Sequence, residues 1–313
     1  MIKNSKILNF KYIRYLGAIF AFIIVAPVFF LAGFDSKITR IISLSLFTIV
    51  AIYTIWEFVK NMEISLLSKI LLPFIAIPIM ILDIDLITIN KILPSSHSAW
   101  IKNNLHLTIT NSLTFYSFLL VFIIGLIVLI DPIARKIFDP TRTILYLIIG
   151  IAFPTFAIKS AFVLTAINPI FLLVIIPTAI ISDTFAYFGG RLLSKRFPKK
   201  FAPNISPKKT WIGFWVGYIF TVIYLSLLFA FADKIIFKKI QINEIYRISM
   251  IVILVIILPI VSPIGDLIYS KFKRERNIKD FSNLIPGHGG ILDRIDSWVL
   301  LFITFIFIFQ FLG

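Results

Sequence analysis

The apolar residues of this chain come in blocks that a soluble fold could not bury, such as IVILVIILPIV at 251–261 and WVLLFITFIFIFQF at 298–311. About 20 consecutive apolar residues are needed to carry a helix across the hydrocarbon of a bilayer. Nine candidate spans follow, near residues 15–34, 41–58, 69–89, 112–131, 143–162, 169–189, 211–232, 248–268 and 291–312. In lipid a segment must satisfy its own backbone polar groups, so the pattern predicts an all-α, polytopic integral membrane protein with about nine transmembrane helices. The hydrophobic fraction of 59% agrees with that class. Prolines 27, 73, 78, 154, 177, 259 and 263 fall inside the spans and predict kinks. The first run is too long for a signal-peptide core and is kept as a span.

Charge sets the expected orientation. There are 31 Lys and Arg against 15 Asp and Glu, a formal net charge of +16. In a nine-span topology, 22 of those cations fall on the N-terminal side, most densely in the connectors 190–210 and 269–294. The positive-inside rule then predicts a cytoplasmic N-terminus, with both basic connectors on the same side and the C-terminus opposite. Scattered basic residues such as Arg191, Lys195, Arg196, Lys199 and Lys200 suit an anionic leaflet. Neither connector interleaves its charges with base-stacking aromatics, which argues against a nucleic-acid partner.

The connector SKFKRERNIKDFSNLIPGHGGILDRIDS, residues 270–297, packs six basic residues, four acids, a histidine and a glycine cluster between two oily stretches. Asp183, Asp266 and Asp293 lie in or at the edge of spans six, eight and nine, and Asp296 follows Asp293 on the same helix face. Each carboxylate inside a span costs about 2.5–3.5 kcal/mol on insertion scales and persists mainly beside a partner or an aqueous cavity. Carboxylates and cations at one membrane depth describe a site for a metal–polyphosphate complex. With no cysteine in the chain, such a site must use oxygen or imidazole ligands, which favours Mg²⁺.

The glycines of PGHGG at 286–290 leave bare N–H groups at a helix start, an end that binds anions, so Gly289 and Gly290 are expected near phosphate. His288 is a candidate donor to phosphate or proton carrier. In SPKKT at 206–210, Ser206, Lys208, Lys209 and Thr210 offer several donors beside a rigid proline.

These residues resemble a known family. Ser270, Phe272, Lys273-Arg274, Lys279-Asp280, Ser282, Pro286, His288-Gly289-Gly290, Asp293-Arg294 and Asp296 stand at the spacing of the signature of phosphatidate cytidylyltransferases, also called CDP-diacylglycerol synthases. DTFAYFGGR at 183–191, ISPKKTW at 205–211 and GDL at 265–267 are similar to further blocks of that family, and YTIWEF at 53–58 is the most family-like piece of the first four spans. Two positions depart from the family: Tyr269 stands where Glu is common, and Ile212 where an acid or amide often follows the tryptophan.

The resemblance implies that CTP and phosphatidate give CDP-diacylglycerol and pyrophosphate, with Mg²⁺ held by Asp266 and Asp293 and a second, monovalent cation left open. On this reading Asp183 and Asp296 assist the metal, and the catalytic set is Asp266, Asp293, Asp296, Lys273, Arg274 and His288. Ser206, Lys208, Lys209, Thr210, Ser270, Lys279, Asp280, Gly289, Gly290 and Arg294 are expected to bind substrate. Residues 1–142 would be N-terminal transmembrane helices and 143–313 the catalytic region of one integrated membrane domain. The expected location is the cell (inner) membrane, multi-pass, with the site on the cytoplasmic side, membrane lipid as a partner and a homodimer left open. The alternatives weighed are a CTP-dependent kinase of polyprenol or phytol, which would release CDP, and a cation-coupled transporter, which would show inverted repeats absent from this sequence.

Overall fold

The computed structural model describes residues 32–33, 36–81, 145–237, 243–284 and 289–312. Helix α1 is Lys37–Val59. A broken segment follows: α2 (Leu66–Leu71), a 3₁₀ turn (Leu72–Ile75) and α3 (Ala76–Ile81). A π-helical turn, Ile148–Ala152, leads into α4 (Phe153–Ile167) and then α5 (Phe171–Leu193). Strands β1 (Lys200–Ala202) and β2 (Ser206–Thr210) precede α6 (Trp211–Ile236), α7 (Glu244–Glu275) and α8 (Leu292–Leu312).

Among the described residues, five helices are long and apolar enough to cross a membrane: those over Ile38–Val59, Leu145–Ile167, Phe171–Leu193, Trp211–Ile236 and Glu244–Glu275. They coincide with five of the expected spans, and α8 with the last. The spans expected at 15–34 and 112–131 lie outside the described residues apart from Ala32 and Gly33, as does the 82–89 part of the span expected at 69–89. Outward rows such as Ile219, Phe220, Ile223, Leu227 and Phe231 on α6 remain exposed, as a lipid-facing surface requires.

Lipid tails are as apolar as leucine, so helices in a bilayer associate by close packing of small residues rather than by burying oil. The sequence supplies those residues where α5 meets α6. Gly213 and Gly217 stand four apart, and a Cβ on either would come within 2.6 Å of a carbonyl oxygen of α5, that of Ala186 or Ser182. Beside them Phe185 and Phe220 stack at 4.0 Å. At the α7–α8 crossing, a Cβ on Gly265 would sit 2.8 Å from the Asp296 carbonyl oxygen. Both close approaches bring acids together: Asp183 follows Ser182, and Asp266 follows Gly265.

The expected proline kinks take different forms. Pro73 is the second residue of the 3₁₀ turn, and Pro154 the second residue of α4, which follows the π-helical turn. In contrast, α5 and α7 run through Pro177, Pro259 and Pro263 as single helices; neighbouring helices support backbone groups that proline frees.

Two connectors differ from the sequence expectation. Helix α7 does not stop near residue 268 but continues to Glu275, ending in a turn where Asn277 has φ of 54° and the Ile278 N–H reaches the Lys273 carbonyl at 2.9 Å. That is the left-handed helix stop that asparagine tolerates. Secondly, the 190–210 stretch is not wholly loop. Strands β1 and β2 pair antiparallel, with Lys200 opposite Thr210 and Ala202 opposite Ser206. Phe201 of β1 packs edge-on against Trp211 (4.7 Å) and stacks on Phe214 (5.1 Å), fixing the hairpin to the base of α6. The described fold is thus helical with one small hairpin, consistent with the expected all-α membrane class.

Candidate active site

Continuing α7 past residue 268 places Asp266, Ser270 and Lys273 at i, i+4 and i+7, along one face of one helix. Ser270 Oγ donates to Asp266 Oδ1 at 3.2 Å. In β2, Lys208 is exposed while half-buried Lys209 donates to Asp266 Oδ2. Asp183 on α5 lies within electrostatic range of both Lys209 and Asp266.

Beside this pair is a second one. Lys273 Nζ donates to Asp293 Oδ1 at 2.9 Å and approaches Asp296 Oδ2 at 3.5 Å. All three residues are buried, and Asp296 is also within electrostatic range of Asp266. The other Asp293 oxygen, Oδ2, accepts the N–H groups of Phe281 (2.7 Å) and Gly290 (2.9 Å). Asp293 therefore ties Phe281 and Gly290 of the signature connector to α8. Beneath it lies an aromatic floor in which Phe272 stacks on Phe58 at 4.2 Å and meets Phe281 at 5.9 Å.

Thus α5, β2, α7 and α8 bring the four expected acids and two of the expected lysines to one place. Among the described residues, no three or more His, Asp or Glu converge as a ready-made cation cage. Lysine ammonium groups stand against the carboxylates instead. The donor set still fits Mg²⁺, which takes one or two protein carboxylates and completes its shell with phosphate oxygens and water.

Other expected residues are placed as follows. Thr210 Oγ1 accepts the Gly213 N–H at 3.1 Å, capping α6. Arg274 reaches the carbonyl oxygens of Ile205 (3.4 Å) and Ile278 (3.2 Å), linking hairpin to connector. Lys279, Asp280 and Arg294 are exposed, and Ser206 is half-buried at the start of β2. Gly289, with φ of +81°, is buried against Asp293 and Asp280. His288 lies outside the described residues. Of the two departures, Tyr269 is buried and donates to the Ile149 carbonyl at 3.1 Å, bracing α7 on the π-helical turn, and Ile212 is half-buried.

Sequence reasoning missed Glu57. Its carboxylate, at the end of α1, accepts from Ser282 Oγ and from the N–H groups of Ile291 (3.1 Å) and Leu292 (2.8 Å). The backbone donors at the start of α8, expected to face phosphate, thus meet protein carboxylates. The available signal was an acid inside an apolar run, in the YTIWEF stretch.

The family model described as "Cytidylyltransferase family" matches residues 13–312. This chain belongs to the cytidylyltransferase family. Among curated proteins it is 43% identical over 116 residues to a phosphatidate cytidylyltransferase of Haemophilus influenzae, covering 37% of each chain. It is 37% identical over 167 residues to one from Rickettsia bellii, covering 52% of this chain and 69% of that protein. A third, from Staphylococcus saprophyticus, is 39% identical over 121 residues, covering 39% of this chain and 42% of the relative.

Proposed function

We propose that this member of the family is a phosphatidate cytidylyltransferase, converting CTP and phosphatidate to CDP-diacylglycerol and pyrophosphate. The observation that carries the reading is the paired arrangement of Lys209 on Asp266 and Lys273 on Asp293 and Asp296. The lipid phosphate is already an anionic nucleophile, so the reaction needs no strong base. Its oxygen attacks the α-phosphorus of CTP, a new P–O–P bond forms, and the α–β bond breaks to release pyrophosphate. Rate enhancement must come from bringing two anions together and stabilising the departing charge.

Asp266 and Asp293 would hold Mg²⁺, with Asp183 and Asp296 assisting; the ion supplies charge neutralisation at the phosphates. Lys209 and Lys273 leave their carboxylate partners for phosphate oxygens, as compact point charges. Lys208, Arg274 and Lys279 are exposed at the rim to receive the triphosphate and lipid headgroup, while Thr210 and Ser270 act through α6 and Asp266. The concentration of Lys and Arg in the two connectors supports a site on the cytoplasmic face of a cell membrane, with acyl chains entering sideways from the bilayer.

The test uses purified protein in mixed micelles with labelled CTP, phosphatidate and Mg²⁺. CDP-diacylglycerol and pyrophosphate should form in equal amounts. CDP as the nucleotide product would replace this reading with lipid phosphorylation, and no phosphatidate-dependent turnover would overturn it.

A further inference from the structure

Glu57 is fully buried, yet among the described residues no Lys or Arg forms an ion pair with it. A buried carboxylate is tolerable only when donors saturate it. Tyr53, one turn earlier on α1, also meets it, and the other donors come from a segment more than 220 residues away: Ser282 Oγ and Ile291 N–H on Oε1, and Leu292 N–H on Oε2. The carboxylate therefore sits on the positive end of α8 as a cap supplied in trans. Gly290 has no Cβ because one would overlap this carboxylate. One turn later, Asn61 Nδ2 donates to the Glu57 carbonyl (2.8 Å) and to the Phe281 carbonyl (3.1 Å).

The end of α1 thus grips the signature connector at two places, at Phe281–Ser282 and at Gly290–Leu292. Asp293 Oδ2 accepts from Phe281 and Gly290, one residue on each side of the same closure. Asp293 can hold Lys273 in register only while those two places stay together. We propose that Glu57 is a positioning residue for the transfer reaction: by clamping the connector it fixes Asp293 and, through it, Lys273. This rests on the cytidylyltransferase reading for its kinetic consequence, but the clamp itself is independent of that reading.

Glu57→Gln keeps the side-chain shape but turns an amide NH₂ toward a backbone N–H, so one grip is lost. Supporting groups of this kind are worth about 10–100-fold. The expected result is a kcat lowered by about that factor, with KM for CTP and phosphatidate within about threefold. Hydrogen exchange in a peptide spanning 281–295 should be faster, with the remaining helices unchanged. Ser282→Ala, which removes one donor and leaves Glu57 in place, should move both readouts the same way by less. Glu63→Gln, whose partner is Arg276 at 3.5 Å outside this cluster, should move neither.

Wild-type exchange at 281–295, or wild-type kcat, in both Glu57→Gln and Ser282→Ala would overturn the proposal. So would a raised KM with unchanged kcat, which would make Glu57 a substrate-affinity group. If Glu57→Gln does not fold, Ser282→Ala decides alone by the same two readouts. If the wild-type protein makes no CDP-diacylglycerol, the functional reading fails while the exchange result still judges the clamp.

Discussion

Lys273 and Asp293 form an ion pair with Nζ 2.9 Å from Oδ1, and their side chains are only 9% and 2% exposed. Such a pair is costly to assemble and damaging to break from one side, so each partner has consequences for the other. Asp293 also holds Phe281 and Gly290, which makes it both the proposed metal ligand and the knot of the connector.

Asp293→Asn should lower phosphatidate-dependent pyrophosphate release by at least about 10²-fold, the scale for losing one group that stabilises transition-state charge. Activity near wild type in correctly inserted protein would remove Asp293 from the metal assignment.

The two lysines of SPKKT should separate. Lys209 is paired with Asp266 and Lys208 is exposed. Lys209→Met leaves Asp266 without its cation and should cost at least about 10²-fold in kcat/KM. Lys208→Met should cost less than about tenfold, because an exposed charge interaction is worth up to about 1 kcal/mol. Equal losses would mean that the pairing of Lys209 with Asp266 does not set it apart from Lys208.

Thr210→Val removes the cap on α6 and should destabilise the protein by about 1 kcal/mol, read as a lower melting midpoint in detergent. KM for CTP should stay within about threefold, since the hydroxyl accepts from Gly213. A rise of tenfold or more, about 1.4 kcal/mol of binding, would make Thr210 a substrate contact as well as a cap.

Gly217→Val places a branched side chain where a bare Cβ already comes within 2.6 Å of the Ser182 carbonyl oxygen. Overpacking of this kind costs about 1–3 kcal/mol. Thermal melts should show the loss. Because Asp183 follows Ser182, activity of the folded fraction should fall as well. An unchanged midpoint would show that α5 and α6 can separate freely.

The helices of this protein were legible because hydropathy is a local property. A run such as IVILVIILPIV has one low-energy environment, and its helix needs no distant partner to satisfy its backbone. The acids at 183, 266, 293 and 296 were legible for a related reason: a charge in such a run must be explained wherever the helix goes. What composition and pattern could not carry was pairing. That Thr210 caps α6, that Lys209 faces Asp266 while Lys208 faces out, and that Ser206–Thr210 is a strand all depend on the hairpin closing over Trp211 and Phe214.

By itself the sequence determined a helical membrane protein, the four acids and the basic connectors of its candidate site, and its resemblance to a family. Only the tertiary structure decided that Glu57, in a span that sequence reasoning left without a role, closes the signature connector. Periodicity tells which face of a helix is apolar, but the partner of a buried carboxylate is set by which backbone donors another helix brings within about 3 Å of it.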